Sequence, residues 1–471
     1  MRRRTWRPLA MCLMFVGLAA LIAIADDPRS PAKSTAPNTP GPSAARLPGK
    51  PKELGESVTR GLKYLIAQQH ENGGFGQGGG WRTTGEGRRD RVEGADVKDP
   101  PDVGNTCIAA LALIRAGNST ETGPYAKQLA KALEFVENRV EEADRESLYV
   151  TPIRDTQLQT KIGQYVDTFL AALVLSELKG QMPDRKSEER LLAALNKTIG
   201  KIEANQQEDG TFVGNAGWAG VLSQAICSKA VNRAYQKGAQ VRTDTIQKDL
   251  DQSVAQLAPG KTEIAARDAK PTATAARAAA APAGVGKPRG LAPMATAGAS
   301  GSGKGDAGVS LYSLSANAGR VQDAVNSNGR KAAEAKAVLE SPTSDEKAKS
   351  RAQRELREIA DSGEANRQAL TQIAVNIGDK RFVKGFGNNG GEEFLSYMNI
   401  SETLFVQGGE EWRKWDRQVC ELITSVQNED GSWSGHHCIT GRTFCTSAAL
   451  LTMMADRAPL PSAEAARPQA R

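Results

Sequence analysis

One short phrase recurs three times along the 471-residue chain, and it constrains the fold more than any other feature. Its pattern is Gln, any residue, Glu, Asn or Asp, Gly, any residue, aromatic. The copies occupy residues 69–75, 206–212 and 427–433. An Asn/Asp-Gly pair supplies the left-handed residue that ends a helix and turns the chain. The pattern therefore predicts structural turns at Gly73, Gly210 and Gly431, with the aromatic residue packing back onto the helix end.

The turns separate two kinds of helix. Before the first turn, Val58, Leu62, Leu65 and Ile66 fall on one helical face, which is typical of an amphipathic helix. The helices that follow the turns are apolar on most sides, which indicates burial on most sides. They are predicted at residues 106–116, 168–178 and 446–454. The predicted unit is an amphipathic outer helix, a glycine turn and a buried inner helix.

The spacing of the turns predicts six such units. Gly73 and Gly210 lie 137 positions apart, and Gly210 and Gly431 lie 221 apart, which accommodates units of about 70 residues. The remaining units pair an outer helix with an inner helix, and they are predicted at 125–141 with 163–179, 243–257 with 308–321, 344–377 with 394–407, and 412–426 with 442–454. A further inner helix is predicted at 217–237. Six pairs can close into a ring, whereas an open solenoid needs polar caps that the sequence does not show. We therefore predict an all-α (α/α)6 toroid.

Composition divides the chain further. Residues 1–25 combine an arginine-rich start, an apolar run of about 18 residues and Ala23-Ile24-Ala25, which indicates a secretory signal peptide or, alternatively, an uncleaved membrane anchor. The other predicted boundaries are 26–52 for a flexible Pro/Ser-rich linker, 53–257 for the first part of the toroid, 258–305 for a disordered Ala/Gly/Pro-rich insertion, 306–458 for the second part, and 459–471 for a disordered tail. The protein is expected to be exported, to the periplasm or outside the cell.

Charge and residue counts exclude some function classes. The formal net charge of +7 is spread along the chain, so a nucleic-acid groove is not expected. Three histidines and six cysteines argue against a multi-metal enzyme. We expect no cofactor and no metal, and membrane attachment only through an uncleaved N-terminal segment.

The repeat resembles that of squalene and other terpenoid cyclases and of protein prenyltransferase β subunits, most clearly at residues 427–454. This resemblance implies the (α/α)6 toroid but says little about activity. The chain lacks the Asp-x-Asp-Asp-Thr-Ala acid motif of the cyclases. Where prenyltransferases carry zinc ligands it has Ile400, Glu402 and about Thr443. The Gly-Cys-Gly-Glu-Gln run of thioester proteins, which share the toroid, is also missing.

Few residues remain as candidates for chemistry. His436 and His437, followed by Cys438, are either a metal or acid–base site or a polar rim loop, and their spacing favours the loop. Asp167 is either a catalytic acid or a helix cap, and the cap is favoured. The pair at 392–393 is either a carboxylate pair or first-turn acids favoured by the helix dipole. A disulfide between Cys438 and Cys445 is left open.

Four aromatic residues fall in or beside inner helices and can line a cavity or rim for a lipid or a sugar: Trp218, Tyr312, Phe405 and Trp433. Core packing explains them equally well. The preferred hypothesis is a non-catalytic binding or scaffolding module whose ligand is unknown, either a lipid or a glycan. The alternative is a divergent enzyme of the same fold that acts on an isoprenoid or a polysaccharide through acids that the sequence does not identify.

Overall fold

The computed structural model describes residues 50–83, 89–94, 96–257, 308–379 and 390–461. The predicted signal peptide and insertion lie outside the described residues, as do nearly all of the predicted linker and tail. No helix in the described ranges is long and apolar enough to cross a membrane.

The described chain is mostly helical, which confirms the all-α class. The outer helices are α1 (Glu56–Gln68), α3 (Ala126–Glu142), α6 (Arg185–Asn205), α8 (Thr243–Leu257), α11 (Glu346–Gly378) and α13 (Gly409–Ser425). The inner helices are α2 (Val103–Arg115), α5 (Val166–Leu178), α7 (Gly220–Gln236), α9 (Gly308–Asn326), α12 (Gly391–Gln407) and α14 (Arg442–Met453). Each of these twelve helices overlaps a predicted helix or directly precedes a repeat turn.

Some elements have no counterpart in the sequence analysis. They are the short helices α4 (Gln157–Ile162) and α10 (Asn328–Glu340), a 3-10 turn at Ala455–Arg457, and an antiparallel hairpin of β1 (Gly80–Thr83) and β2 (Arg89–Val92). The strands are four residues long and α4 spans six. Segments this short carry too little periodicity to be recognised from sequence.

Burial separates the two sets of helices as their sequences predict. Every residue of α5 is buried, and so is every residue of α12 from Gly391 to Phe405. The outer helix α13 buries only Trp415, Val419 and Ile423, which are spaced by four and form one stripe. The hydrophobic core therefore lies between and beneath the inner helices, and the charged faces of the outer helices point away from it.

The inner helices contact one another in chain order. The pairs in contact are α2 with α5, α5 with α7, α7 with α9, α9 with α12, α12 with α14, and α14 with α2. The last inner helix thus packs on the first. The outer helices pack on this inner set, with α1 lying against both α14 and α2.

The three repeat turns share one geometry. Gly73, Gly210 and Gly431 have φ angles of 86°, 79° and 87°, which confirms the predicted left-handed glycines. A Cβ at these positions would lie 2.2, 2.5 and 2.8 Å from a backbone carbonyl oxygen of another outer helix. That carbonyl belongs to Lys131 of α3, Lys248 of α8 and Arg60 of α1, respectively. Glycine is therefore required both for the turn and for this close approach.

Side chains of the repeated phrase also dock each turn on the neighbouring outer helix. The side-chain amide of Gln69 donates to the backbone carbonyl of Gln128 in α3 at 2.8 Å. In the other two copies, Gln206 donates to the carbonyl of Thr245 in α8 at 3.1 Å, and Gln427 donates to that of Ser57 in α1 at 2.9 Å. The aromatic residue of the phrase is buried in all three copies. In the third copy, the Trp433 indole donates to the carbonyl of Ile423 at the end of α13, 2.7 Å away. The last turn docks on the first outer helix as the earlier turns dock on the next outer helix.

Candidate functional site

Three buried acids lie at the N-terminal ends of the inner helices. Asp102 precedes α2, and Asp167 and Glu392 stand in the first turns of α5 and α12. Their exposed fractions are 8%, 3% and 0%. Within the described residues, none of the three carboxylates has a Lys or Arg nitrogen within 4.0 Å. We call this region, with its three acids, the acid end of the inner helices.

Two of these acids act as a pair. The Asp102 carboxylate caps α2 by accepting from the Asn105 backbone N–H and side-chain amide, both at 2.8 Å. The favoured prediction that Asp167 caps its helix is wrong, because its carboxylate accepts from the Gln159 side chain and not from an N–H of α5. Its Oδ1 lies against Gly104, where a Cβ would approach it to 2.7 Å. Burial raises the pKa of both groups, and the charge of Asp167 raises that of Asp102 further. The pair therefore favours keeping a proton at pH values where an ordinary aspartate is ionised.

Glu392 is the most buried of the three acids. Its Oε2 accepts from the backbone N–H of Ile439 at 3.1 Å, so it also fixes the loop that leads to α14. Burial raises the pKa of Glu392 to about 7, against the lowering effect of backbone N–H groups and of the Cys438 thiol. The Glu393 carboxylate points elsewhere and accepts from the Tyr397 hydroxyl. The structure thus separates these two residues into a site acid and a helix-packing acid.

The short helix α4 connects the acids. A capping box at Thr156 begins the helix. The side-chain amide of Gln159 then donates to Asp167 Oδ2 at 2.5 Å, and that of Gln157 donates to the backbone carbonyl of Cys438. One helix of six residues therefore contacts both the aspartate pair and the loop beside Glu392.

The acid end contains five of the fourteen buried side-chain atoms that lack a hydrogen-bond partner in the described part of the chain. Buried side-chain oxygens there have no hydrogen-bond partner in the described part of the chain: Asp167 Oδ1, Glu392 Oε1, Asn105 Oδ1, Gln157 Oε1 and Thr443 Oγ1. Leaving a buried polar atom unpaired costs about 1–3 kcal/mol each. Folding alone does not account for such a cluster, whereas a polar ligand would satisfy it.

The histidine loop lies at the same end. The Arg91 guanidinium, on β2, donates to the carbonyls of Gly435 at 3.0 Å and His436 at 3.1 Å. His437 Nδ1 lies 3.3 Å from Cys438 Sγ, and Cys438 has a left-handed φ of 58°. The structure brings His437 and Cys438 beside Glu392, while His436 is outside that group. Sequence spacing could not reveal this grouping, because the third member lies 45 positions away.

The predicted aromatic residues divide into two groups. Tyr312, Phe405 and Trp433 are buried and pack in the core, so they present no surface to a ligand. Trp218 is 43% exposed, on the loop before α7. This loop packs on α4, where Ala219 N–H donates to the carbonyl of Lys161 at 2.8 Å. Trp218 is therefore the one of the four that can bind at the rim.

Two further aromatic residues lie beside α4, and the sequence analysis did not single them out. Tyr149 and Tyr165 stack with ring centroids 5.0 Å apart, and both are partly exposed. The Tyr165 hydroxyl donates to the carbonyl of Val213 at 2.8 Å, and the Arg154 guanidinium lies 3.5 Å above the Tyr149 ring. Together with Trp218, they give the acid end an accessible aromatic surface.

The C-terminal halves of the inner helices carry a different set of buried charges, which we call the ion-pair network. Arg115 donates to Glu177 at 2.7 Å and to Glu402 at 3.2 Å, and Lys229 lies 2.8 Å from Glu402 and 3.1 Å from Asp323. Burial alone would raise the pKa of Glu402, but Lys229 and Arg115 lower it to about 2. Five inner helices contribute one charged side chain each, and the ion pairs among these side chains join the five helices.

A small, partly open pocket lies between α7 and α8. It is lined by Gln206, Cys227, Thr245 and Asp249, among others, and its volume of about 10 Å³ is enough for one water molecule. The positions expected for prenyltransferase zinc ligands do not form a site, because Ile400 is buried in the core and Glu402 belongs to the ion-pair network. In the described chain no disulfide joins any two of the five cysteines, so Cys438 and Cys445 are not bridged.

Comparison with models of known protein families and with curated proteins found no match. The resemblance to terpenoid-cyclase repeats thus remains a prediction from the residues. Among the three acids of the site, Asp102 is the one that was not predicted from the sequence. It precedes an inner helix and does act as its cap, and only the fold shows that the carboxylate of Asp167 lies beside it.

Proposed function

We propose that the chain is an exported (α/α)6 toroid of terpenoid-cyclase-like repeats that binds a glycan at the acid end of its inner helices. The observation that carries this proposal is a set of buried carboxyl groups with no Lys or Arg nitrogen within 4.0 Å in the described chain, beside accessible aromatic rings. The proposed location is the periplasm or the cell exterior, and it follows from the N-terminal sequence alone.

The toroid rests on two independent features. Contacts among the inner helices run from α2 through α14 and return to α2. The turn at Gly431 docks on α1 through the same glutamine and glycine contacts that join the earlier turns to α3 and α8. A low-resolution envelope from small-angle scattering tests this directly, since an open arc of twelve helices is longer than a closed ring.

A polyhydroxylated ligand suits this site better than a lipid. A carboxyl group that keeps its proton near neutral pH donates one hydrogen bond and accepts others, which matches sugar hydroxyls. Exposed tyrosine and tryptophan rings offer apolar faces with polar edges, on which sugar rings can stack. A polyprenyl chain would instead need an apolar cavity of several hundred Å³, whereas every residue of α5 and nearly every residue of α12 is buried by packing.

Affinity electrophoresis through gels that contain bacterial polysaccharides tests the proposal. We expect retardation by at least one polysaccharide. The substitution Trp218→Ala should weaken binding about fivefold, because it removes a stacking surface worth about 1 kcal/mol. Val375→Ala is the matched control, since Val375 is 68% exposed on α11 and should leave retardation unchanged. Equal retardation of both variants would place the ligand elsewhere.

The alternative of a divergent enzyme is favoured by one observation, the raised pKa of Glu392 near 7. A carboxyl group with such a pKa can serve as a general acid at neutral pH. A time-dependent release of reducing ends from a bound polysaccharide, lost in Glu392→Gln, would favour this alternative. Binding without turnover would favour the module.

A further inference from the structure

We propose that Glu392, His437 and Cys438 form a zinc-class metal site at the acid end. One ligand atom from each residue lies within 4.8 Å of the other two. A thiolate, an imidazole and a carboxylate are the three ligand types that Zn²⁺ takes in proteins, and hard cations such as Mg²⁺ do not select sulfur. The inference goes beyond glycan binding and does not depend on it.

The distances suit a metal after a small local adjustment. Tetrahedral bonds of about 2.0–2.3 Å place ligand atoms about 3.5 Å apart. His437 Nδ1 and Cys438 Sγ are already 3.3 Å apart. The His437 and Cys438 side chains, which are at least partly exposed on the loop, can move the remaining distance towards Glu392, so no helix has to move.

The buried member of the set has capacity for a ligand. Glu392 is fully buried, and its Oε1 accepts no hydrogen bond in the described part of the chain, while Oε2 is held by Ile439. A bound cation would satisfy the free oxygen and compensate a carboxylate that otherwise has no positive partner within 4.0 Å. The acid is therefore positioned from the helix side, and the other two ligands from the loop.

The loop is held in an unusual conformation around these side chains. Cys438 adopts φ of 58°, which non-glycine residues rarely do and which recurs at functional sites. The Gln157 amide holds its carbonyl, and Arg91 holds the carbonyls of Gly435 and His436. These contacts restrain the backbone before any ligand binds, which is the second-shell support that metal sites need.

The site would have a defined coordination. Three protein ligands leave a fourth position, on the exposed side of the loop, for water or a polar ligand group. Coordination requires Cys438 as thiolate, so its thiol proton is released to solvent on binding. Three ligands with an open position are typical of reactive rather than purely structural zinc sites.

Cobalt and zinc titration of the full chain, reduced with a non-thiol reductant, tests the proposal. We expect one Co²⁺ per chain with a thiolate-to-cobalt charge-transfer absorption, displaced by one Zn²⁺. His437→Ala and Cys438→Ser should each raise the dissociation constant more than about 100-fold, since the loss of second-shell partners alone costs 10–100-fold. Glu392→Gln should also weaken binding, and circular dichroism with thermal melting shows whether that buried variant still folds.

His436→Ala is the matched control, because His436 is the adjacent exposed histidine and lies outside the ligand group. It should bind both metals as the unmodified chain does. The proposal is overturned if no charge-transfer band forms, if Cys438→Ser keeps full affinity, or if His436→Ala loses as much affinity as His437→Ala.

Discussion

Glu392 and Glu402 stand on the same inner helix, α12, yet their environments are opposite. Glu402 lies between Lys229 and Arg115, and its pKa falls to about 2. Glu392, ten residues nearer the N-terminus or about 15 Å along the helix, has no cation near it, and its pKa rises to about 7. The two carboxylates differ little in burial, so their partners, not their depth, decide their charge.

The same contrast extends to the two ends of the inner helices. In the ion-pair network, each buried charge meets an opposite charge from another helix, which joins the repeats. At the acid end the carboxylates have no such counter-ion within 4.0 Å, and Asp167 and Glu392 each keep one oxygen without a hydrogen-bond partner in the described part of the chain. Proteins keep such unmet polarity mainly where it serves binding or catalysis. The first end thus stabilises the fold, and the second is the better place to look for function.

The largest expected effect tests the ion-pair network. Replacing Glu402 by Gln leaves the buried Arg115 and Lys229 to share fewer negative charges, with Glu177 and Asp323 as their remaining partners. Removing one member of a buried charge group costs about 3–5 kcal/mol. We expect Glu402→Gln to lower the free energy of unfolding by about 3 kcal/mol in urea denaturation at pH 7.

The matched control is Glu410→Gln, on the exposed surface of α13, where the carboxylate pairs with Arg413. Exposed pairs contribute little, so no measurable change is expected. If Glu402→Gln proved as stable as the unmodified chain, the ion-pair network would not stabilise the packing of the inner helices, and the two ends would not differ in the way described.

A smaller effect is expected where the last turn meets the first outer helix. Gly431→Ala places a Cβ at φ of 87° and 2.8 Å from the carbonyl oxygen of Arg60. The left-handed conformation alone costs about 1–2 kcal/mol for a residue with a side chain. We expect a loss of about 2 kcal/mol in the free energy of unfolding, measured in urea as before.

Gly363→Ala separates this contact from a general effect of alanine. Gly363 lies inside α11 with no atom within 4 Å of its added Cβ, so the substitution should stabilise the helix by about 0.5–1 kcal/mol. Two changes of the same kind should thus move stability in opposite directions. A neutral Gly431→Ala would mean that α13 and α1 do not meet as described.

The helical architecture could be predicted from local signals. The stripe through Val58, Leu62 and Leu65 and the Asn/Asp-Gly turns act within one or two helical turns, and the structure confirms both. Burial of whole inner helices was also predictable, because their residues are apolar on most sides. Which aromatic residues reach the surface was not, since Trp218 was predicted inside an inner helix, like Tyr312, but lies on the loop before α7.

The candidate site depends on contacts between distant residues. Arg115 and Glu402 lie 287 positions apart, and Asp102 and Asp167 belong to different repeats. Their sequence neighbourhoods indicate caps and helix-surface charges, which is a sound local interpretation of each residue taken alone. Only the packing of inner helices turns these separate residues into an ion-pair network at one end and an acid pair at the other.

The smallest expected effect distinguishes the two ends of the inner helices most directly, because its size depends on pH. Burial raises the pKa of Asp167 to about 6, so the native state binds more protons than the unfolded chain between the ordinary aspartate pKa near 4 and about pH 6. The stability of the unmodified chain should therefore fall as pH rises through this window. Asp167→Asn cannot ionise and keeps an oxygen for Gln159. It should match the unmodified chain at pH 4, exceed it by about 1 kcal/mol at pH 8, and bind the glycan less well.

Asp144→Asn provides the opposite case for this last prediction. Hydrogen bonds from the Ser147 hydroxyl and backbone N–H lower the pKa of Asp144, so its ionised form favours the native state above the unfolded pKa. Its replacement should reduce stability at pH 8 and matter less as pH falls towards the folded pKa. Urea denaturation at pH 4, 6 and 8 therefore gives two differences of opposite sign. If Asp167→Asn instead lost stability as pH rose, the acid pair would be ionised and compensated in the native state, and the two ends of the inner helices would not differ in kind.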